Sequence, residues 1–193
     1  GGAAQIWTPA PGTTWQWQLS GTVDTSYDVA VYDIDLFDAS VQLVKDLHAK
    51  GRKVVCYMSA GSWEEYRPDK DAFPSVVIGN DYSGWAGEKW IDIRRIDLLS
   101  PIMTARLDMC KSKGFDAVEP DNISGYEQGK AETGFDLTAA DQLAYNKWFA
   151  AEAHKRGLSV GLKNDITQVK DLVGYYDWAL SEQCFQYDEC GSL

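Results

Sequence analysis

Histidine is scarce in this sequence, with two among 193 residues, and none of the four cysteines sits in a C-x-x-C pair. A zinc site therefore has little to draw on. No run approaches the roughly 18 apolar residues that a membrane-spanning helix needs, so no membrane partner is expected. Gly-x-Gly-x-x-Gly and Walker A patterns are absent, which weakens a nucleotide-binding doubly wound fold. Basic charge is also short: 18 Lys and Arg against 29 Asp and Glu give a formal net charge of −11. Nucleic acid and anionic lipid are poor partners for such a field, whereas a cationic ligand is drawn inward. No cofactor and no metal is called for. The opening stretch GGAAQIWTPAPGTTWQWQ has neither a basic n-region nor an apolar h-region, so no signal peptide is expected within this chain. That suits a cytoplasmic protein or a secreted one whose signal has been removed.

What is present describes one globular domain spanning residues 1–193, with 45% hydrophobic residues. Cys184 and Cys190 bracket FQYDE, a spacing that would close a small disulfide loop and would favour an oxidising compartment. Cys56 lies in an apolar strand and reads as a buried thiol. Eight tryptophans and ten tyrosines stand out. Aromatic faces stack on the C–H faces of sugar rings, although they also fill cores. Trp15 and Trp17, together in TWQWQLSG, invite the first reading.

Apolar β-branched runs alternate with helical patterns. Seven strands are expected: WQWQL from Trp15, VAVYDID from Val29, VVCYMSAG from Val54, KWIDIR from Lys89, AVEPDN from Ala117, SVGLKN from Ser159 and WALSEQC from Trp178. Helices are expected over residues 40–50, over 101–113 behind Ser100 as N-cap, and from the Thr138 cap to Gly157. Strands apolar on both faces and alternating with helices imply a parallel sheet covered by helices. Polar residues gather at the C-terminal ends of five strands, which fits the mouth of a (β/α)8 TIM-type barrel better than an open sheet.

Within that rim, GFDAVEPDN runs an apolar strand straight into Glu119, Asp121 and Asn122. A buried carboxylate costs several kcal/mol unless it is paired, so a strand that ends this way has a use for it. Residues at i and i+2 share a strand face, which aims Glu119 and Asp121 the same way.

The segments WQWQLSG, VYDIDLFD, CYMSAGSWEEYRPD, WAGEKWIDIR, GFDAVEPDN, GLKND and SEQCFQYDEC together resemble glycoside hydrolase family 114, whose members are endo-α-1,4-polygalactosaminidases. The resemblance covers nearly the whole chain, in order. It implies a (β/α)8 barrel, a secreted and therefore extracellular enzyme, and an α-1,4-linked, partly N-acetylated galactosamine polymer as substrate. Free amines make that polymer cationic, which supplies a partner for the acidic charge. The resemblance also implies an eighth strand and helix beyond Leu193, so that this chain lacks the last βα unit.

Glycoside hydrolysis takes two carboxyl groups. Asp121 and Glu182 match the family's strand-end carboxylates, with Asp121 as nucleophile and Glu182 as acid/base, in a retaining arrangement. Asn122 and Lys163 are positioned by sequence to hold Asp121. Asp33 and Asp35 share a face and either bind substrate amines or pair with Lys163. Glu119 sits deeper and either contacts substrate or holds its neighbours. Asn164 joins the same rim, and Tyr57, Trp15 and Trp17 are sugar platforms or floor of the barrel. WAGEKW reads as a loop leading into the fourth strand. A monomer is expected. Two other readings stand beside this one. One is a metal-dependent barrel enzyme with Mg²⁺ or Mn²⁺ on Asp33, Asp35, Glu119 and Asp121. The other is a carbohydrate-binding protein without turnover.

Overall fold

The computed structural model describes residues 5–180. In chain order the elements are β1 (Trp15–Gln18), β2 (Val31–Asp35), α1 (Val41–Ala49), β3 (Lys53–Ser59), β4 (Ser62–Glu64), β5 (Ile78–Asp81), β6 (Glu88–Ile91), α2 (Ile96–Lys113), β7 (Ala117–Asp121), α3 (Lys130–Thr133), α4 (Ala139–Lys155), β8 (Ser159–Lys163), α5 (Val169–Leu172) and β9 (Trp178–Leu180). Six of the strands form one parallel sheet in the order β1-β2-β3-β7-β8-β9. Helices α1, α2 and α4 cross over between them, and the sheet curls into an incomplete barrel of the TIM type.

The cores follow from strand periodicity. One face of each strand turns inward, where Val31, Val55 and Ala117 pack with Trp7, Trp15 and Trp178 as the barrel floor. The opposite face carries Tyr32, Ile34, Val54, Cys56, Met58, Val118 and Val160 into a larger core under the helices. Trp178 lies over Gly161 of β8, where a Cβ would stand 2.3 Å from the indole. A side chain there would evict the ring.

Helix α1 starts behind Ser40, whose side chain accepts from the Leu43 N–H, and α4 starts behind a Thr138–Asp141 capping box. The Thr138 start was legible from cap chemistry, whereas Ser40, expected as the first residue of its helix, is its cap. Helix α2 begins at Ile96, five residues before the expected Pro101, which sits inside the helix. Pro101 is the sixth helical residue, past the N–H groups that a helix start leaves without partners, so the helix forgoes one backbone hydrogen bond there, the one to the Asp97 carbonyl.

Two expectations are corrected. KWIDIR is not a barrel strand: its residues form β6, the centre of a separate antiparallel sheet ordered β4-β6-β5. A short apolar run looks alike whether its neighbour is parallel or antiparallel, and the partners here come from the long excursion between β3 and α2. Cys56 is not a free thiol either. It is bonded to Cys110, with the Cα atoms 6.1 Å apart, so that β3 is tied to α2. The expected Cys184–Cys190 bond lies outside the described residues. No helix among the described residues is long and apolar enough to cross a membrane.

Candidate active site

The inward face of β3 and β7 carries Tyr57 against Glu119 and Ser59 against Asp121 in register. These residues lie one and two steps above the apolar floor. Asp121 is therefore the last residue of its strand and the first whose carboxylate meets open space. The Tyr57 hydroxyl donates to its Oδ2 at 2.5 Å, and the Asn122 N–H donates to its Oδ1 at 2.8 Å. Lys163, at the end of β8, brings its Nζ to 3.3 Å from Asp121 Oδ1 and 3.6 Å from Glu119 Oε1. The same ammonium sits 5.5 Å from the centroid of the Tyr57 ring. One lysine thus bridges two carboxylates that share a strand face, a pairing that lets Glu119 lie buried beneath the partly exposed Asp121. Burial, with the Asp121 charge beside it, pushes the Tyr57 phenol far above its ordinary range, so Tyr57 stays a donor.

The turn after β7 is set by Asn122, which takes a left-handed backbone conformation at φ 62°. Asparagine tolerates that conformation better than most side chains. The Asn122 carbonyl comes so close to Gly61 that a Cβ there would stand 1.7 Å from its oxygen. The Asn122 amide donates to the Ser59 and Ser62 hydroxyls, and Ser62 donates to Glu88 Oε2 at 3.0 Å. Asn164, after β8, is left-handed as well, and its N–H donates to the Leu180 carbonyl.

A cavity of about 680 Å³ opens above this arrangement. Tyr57, Asp121, Asn122, Lys163 and Asn164 line it, five of the eleven residues singled out from sequence. Glu119 lies just beneath, in contact with Lys163. Asp33 is fully buried at the level below, and neither of its oxygens has a hydrogen-bond partner among the described residues. Asp35 is placed elsewhere: Arg67 clamps it through two hydrogen bonds of 2.6 and 2.8 Å, and it borders a second, smaller cavity. Its ion-pair partner is Arg67 and not Lys163. Trp17 stacks on Trp15 at 5.4 Å and does not line the larger cavity. Glu182 lies outside the described residues.

Several lining residues escaped the sequence reading. Tyr82, Trp85, Glu88 and Trp90 all come from the β5–β6 hairpin, and Tyr66 and Arg67 from the segment after β4. WAGEKW is therefore a wall of the site and not a lead-in to a barrel strand. The available signal was the interleaving of aromatics with a carboxylate, which core packing can also produce. Tyr82 stacks on Trp90 at 4.3 Å. Burial first, then the charges of Asp121 and Glu88, push the Tyr82 phenol up to about 12.

Two buried arginines hold the excursion in place. Arg67 joins Asp35 to Glu64, and Arg106 of α2 grips Asp69 while donating to the Ser59 carbonyl. Asp35 thus anchors the wall from below. Among the described residues no group of three or more His, Cys, Asp or Glu side chains is placed to hold a metal ion. Of the carboxylates considered for Mg²⁺ or Mn²⁺, Glu119 and Asp121 pair with Lys163 and Asp35 pairs with Arg67.

The arrangement offers an oriented carboxylate facing a cavity with aromatic and acidic walls. Comparison with known proteins agrees with it. The structure of Aspergillus fumigatus Ega3 in complex with galactosamine superimposes with a TM-score of 0.91 at 44% identity, over 96% of this chain and 73% of that one. The glycoside hydrolase domain of PelA from Pseudomonas aeruginosa gives a TM-score of 0.67 at 11% identity, over 90% of this chain and 68% of that one. A trehalulose synthase MutB variant gives 0.65 at 10%, over 91% of this chain and 50% of that one. At such low identity the last two speak for the fold alone. Curated protein sequences contain no match. The profile of glycoside-hydrolase family GH114 matches residues 1–193, and the chain belongs to that family.

Proposed function

We propose that this glycoside hydrolase cleaves internal α-1,4 linkages of a galactosamine polymer, with Asp121 as nucleophile and Glu182 as general acid/base. The observation that carries the reading is the setting of Asp121. Tyr57, the Asn122 N–H and Lys163 fix its carboxylate at the floor of a cavity whose walls suit a sugar. In a retaining mechanism, such a carboxylate attacks the anomeric carbon while the second carboxyl protonates the departing oxygen. Water then hydrolyses the glycosyl-enzyme with the second group acting as base. The galactosamine bound to a relative at 44% identity supports the sugar class. The Cys56–Cys110 disulfide supports an oxidising, extracellular setting.

The test is incubation with partly deacetylated α-1,4-galactosaminogalactan, followed by mass spectrometry of the products. Short oligomers are expected from the native chain. Asp121→Asn keeps the shape and removes the nucleophile, so its turnover should fall by roughly three orders of magnitude or more. Binding of the polymer without any oligomer release would sink the reading.

A further inference from the structure

Among the described residues, the charges in and beneath the cavity do not balance. Glu88 and Asp121 line it with Arg67 and Lys163, and Asp35, Glu64 and Glu119 pair with the same two cations from beneath. Arg67 closes on Asp35 and Glu64, while Lys163 closes on Glu119 and Asp121. Glu88 is left with a neutral partner, the Ser62 hydroxyl. It is half-buried on β6 and lines the cavity. Burial, and then the nearby Glu64 charge, raise its carboxyl above the ordinary range. A cation arriving beside Glu88 would relieve both effects at once.

The surroundings say what kind of cation fits. Trp85, 65% exposed, and Tyr66, 60% exposed, are large aromatic surfaces left open at the same cavity, which Tyr82, braced by Trp90, also lines. Flat aromatic faces beside a carboxylate suit a ring that is apolar on its C–H face and carries an ammonium at its edge. A bare metal ion would have no use for the aromatics, and a neutral sugar would use the carboxylate only as an acceptor for its hydroxyls, leaving the charge uncompensated.

We propose that Glu88 is the specificity residue that reads a free amino group on the sugar chain, with Trp85 and Tyr82 supporting the ring that bears it. This deepens the galactosamine reading above and rests on it. The carboxylate forms a charge-assisted hydrogen bond with an ammonium. An N-acetylated sugar offers it a neutral amide and a bulkier group. The β5–β6 hairpin thereby selects the deacetylated stretches of a mixed polymer, while Asp121 at the barrel mouth does the chemistry.

Calorimetric titration of α-1,4-linked galactosamine oligosaccharides, free-amine and N-acetylated, into the full chain tests this. An Asp121→Asn background keeps the oligosaccharides whole. Glu88→Gln retains an acceptor for Ser62 and should weaken the free-amine form about tenfold or more, with the N-acetylated form changed less than about twofold. Asp81→Asn removes an equal charge from an exposed position on the same hairpin and should shift both forms less than about twofold. Trp85→Ala should weaken both forms alike. Equal weakening of the two forms by Glu88→Gln would overturn the proposal, as would an Asp81→Asn effect of the same size or no preference in the starting protein. A chain that discriminates the two forms but releases no oligomers from polymer would overturn the proposed reaction and leave the assignment of Glu88 standing.

Discussion

Trp15 and Trp178 stand on the two edge strands of a six-stranded sheet, yet their ring centroids are 5.1 Å apart. Neighbouring strands lie about 4.8 Å apart, so a flat sheet would hold those edges roughly 24 Å from each other. The contact is possible because the sheet curls until its inner face meets itself. It also closes the floor on which Tyr57, Glu119 and Asp121 stand, so the site's geometry depends on this aromatic contact well below it.

Gly161 is the position that admits Trp178 to that contact. Gly161→Ala would set a methyl 2.3 Å from the indole and force the ring or the strand aside. Overpacking of this kind costs about 1–3 kcal/mol. Urea unfolding should show that loss, together with a change in tryptophan fluorescence. A variant as stable as the native chain, with an unaltered spectrum, would mean that Trp178 does not lie over Gly161.

The Cys56–Cys110 bond joins residues 54 positions apart, and both cysteines are completely buried. Closing a loop of that length restricts the unfolded chain by about 4 kcal/mol on a chain-entropy estimate. The Cys56→Ala/Cys110→Ala double variant should unfold at lower urea by about 2–5 kcal/mol. In native buffer the bond should resist glutathione, because reduction requires exposing it. Rapid thiol labelling of the untreated, folded protein would contradict the bond.

Asp165 follows Asn164 at the cavity rim and is itself buried, with the Asn146 amide donating to Oδ2. Burial, and then the charge of Glu127, push its carboxyl up to about 8. An unfolded aspartate titrates near 3.9, roughly. Between these values the folded chain holds a proton that the unfolded chain has released. Asp165 therefore costs stability progressively as pH rises from about 4 to about 8, and the loss is complete above the folded value. Asp165→Asn should flatten the Tm–pH curve across that window relative to the native chain and raise Tm at pH 8. Parallel curves for the two proteins would show that Asp165 does not titrate in this range.

Much of this was readable in the linear chain. Alternation along AVEPD determined that Glu119 and Asp121 share a face, and cap chemistry at Thr138 determined where one helix begins. Both are local matters of a few bonds, written within a few residues of sequence. The polar ends of the parallel strands likewise pointed to one mouth, and Tyr57, Asp121, Asn122, Lys163 and Asn164 do converge there. What the tertiary structure alone decided is which distant groups meet. Asp35 faces Arg67 because the excursion after β3 folds back beneath the site, and Cys56 meets Cys110 because one helix face lands on one strand. Glu88 lines the cavity because β6 pairs antiparallel with β4 and turns its hairpin over the barrel mouth. Such meetings depend on the packing of whole elements against one another. A strand's own periodicity says which side it buries, not what will be waiting on that side.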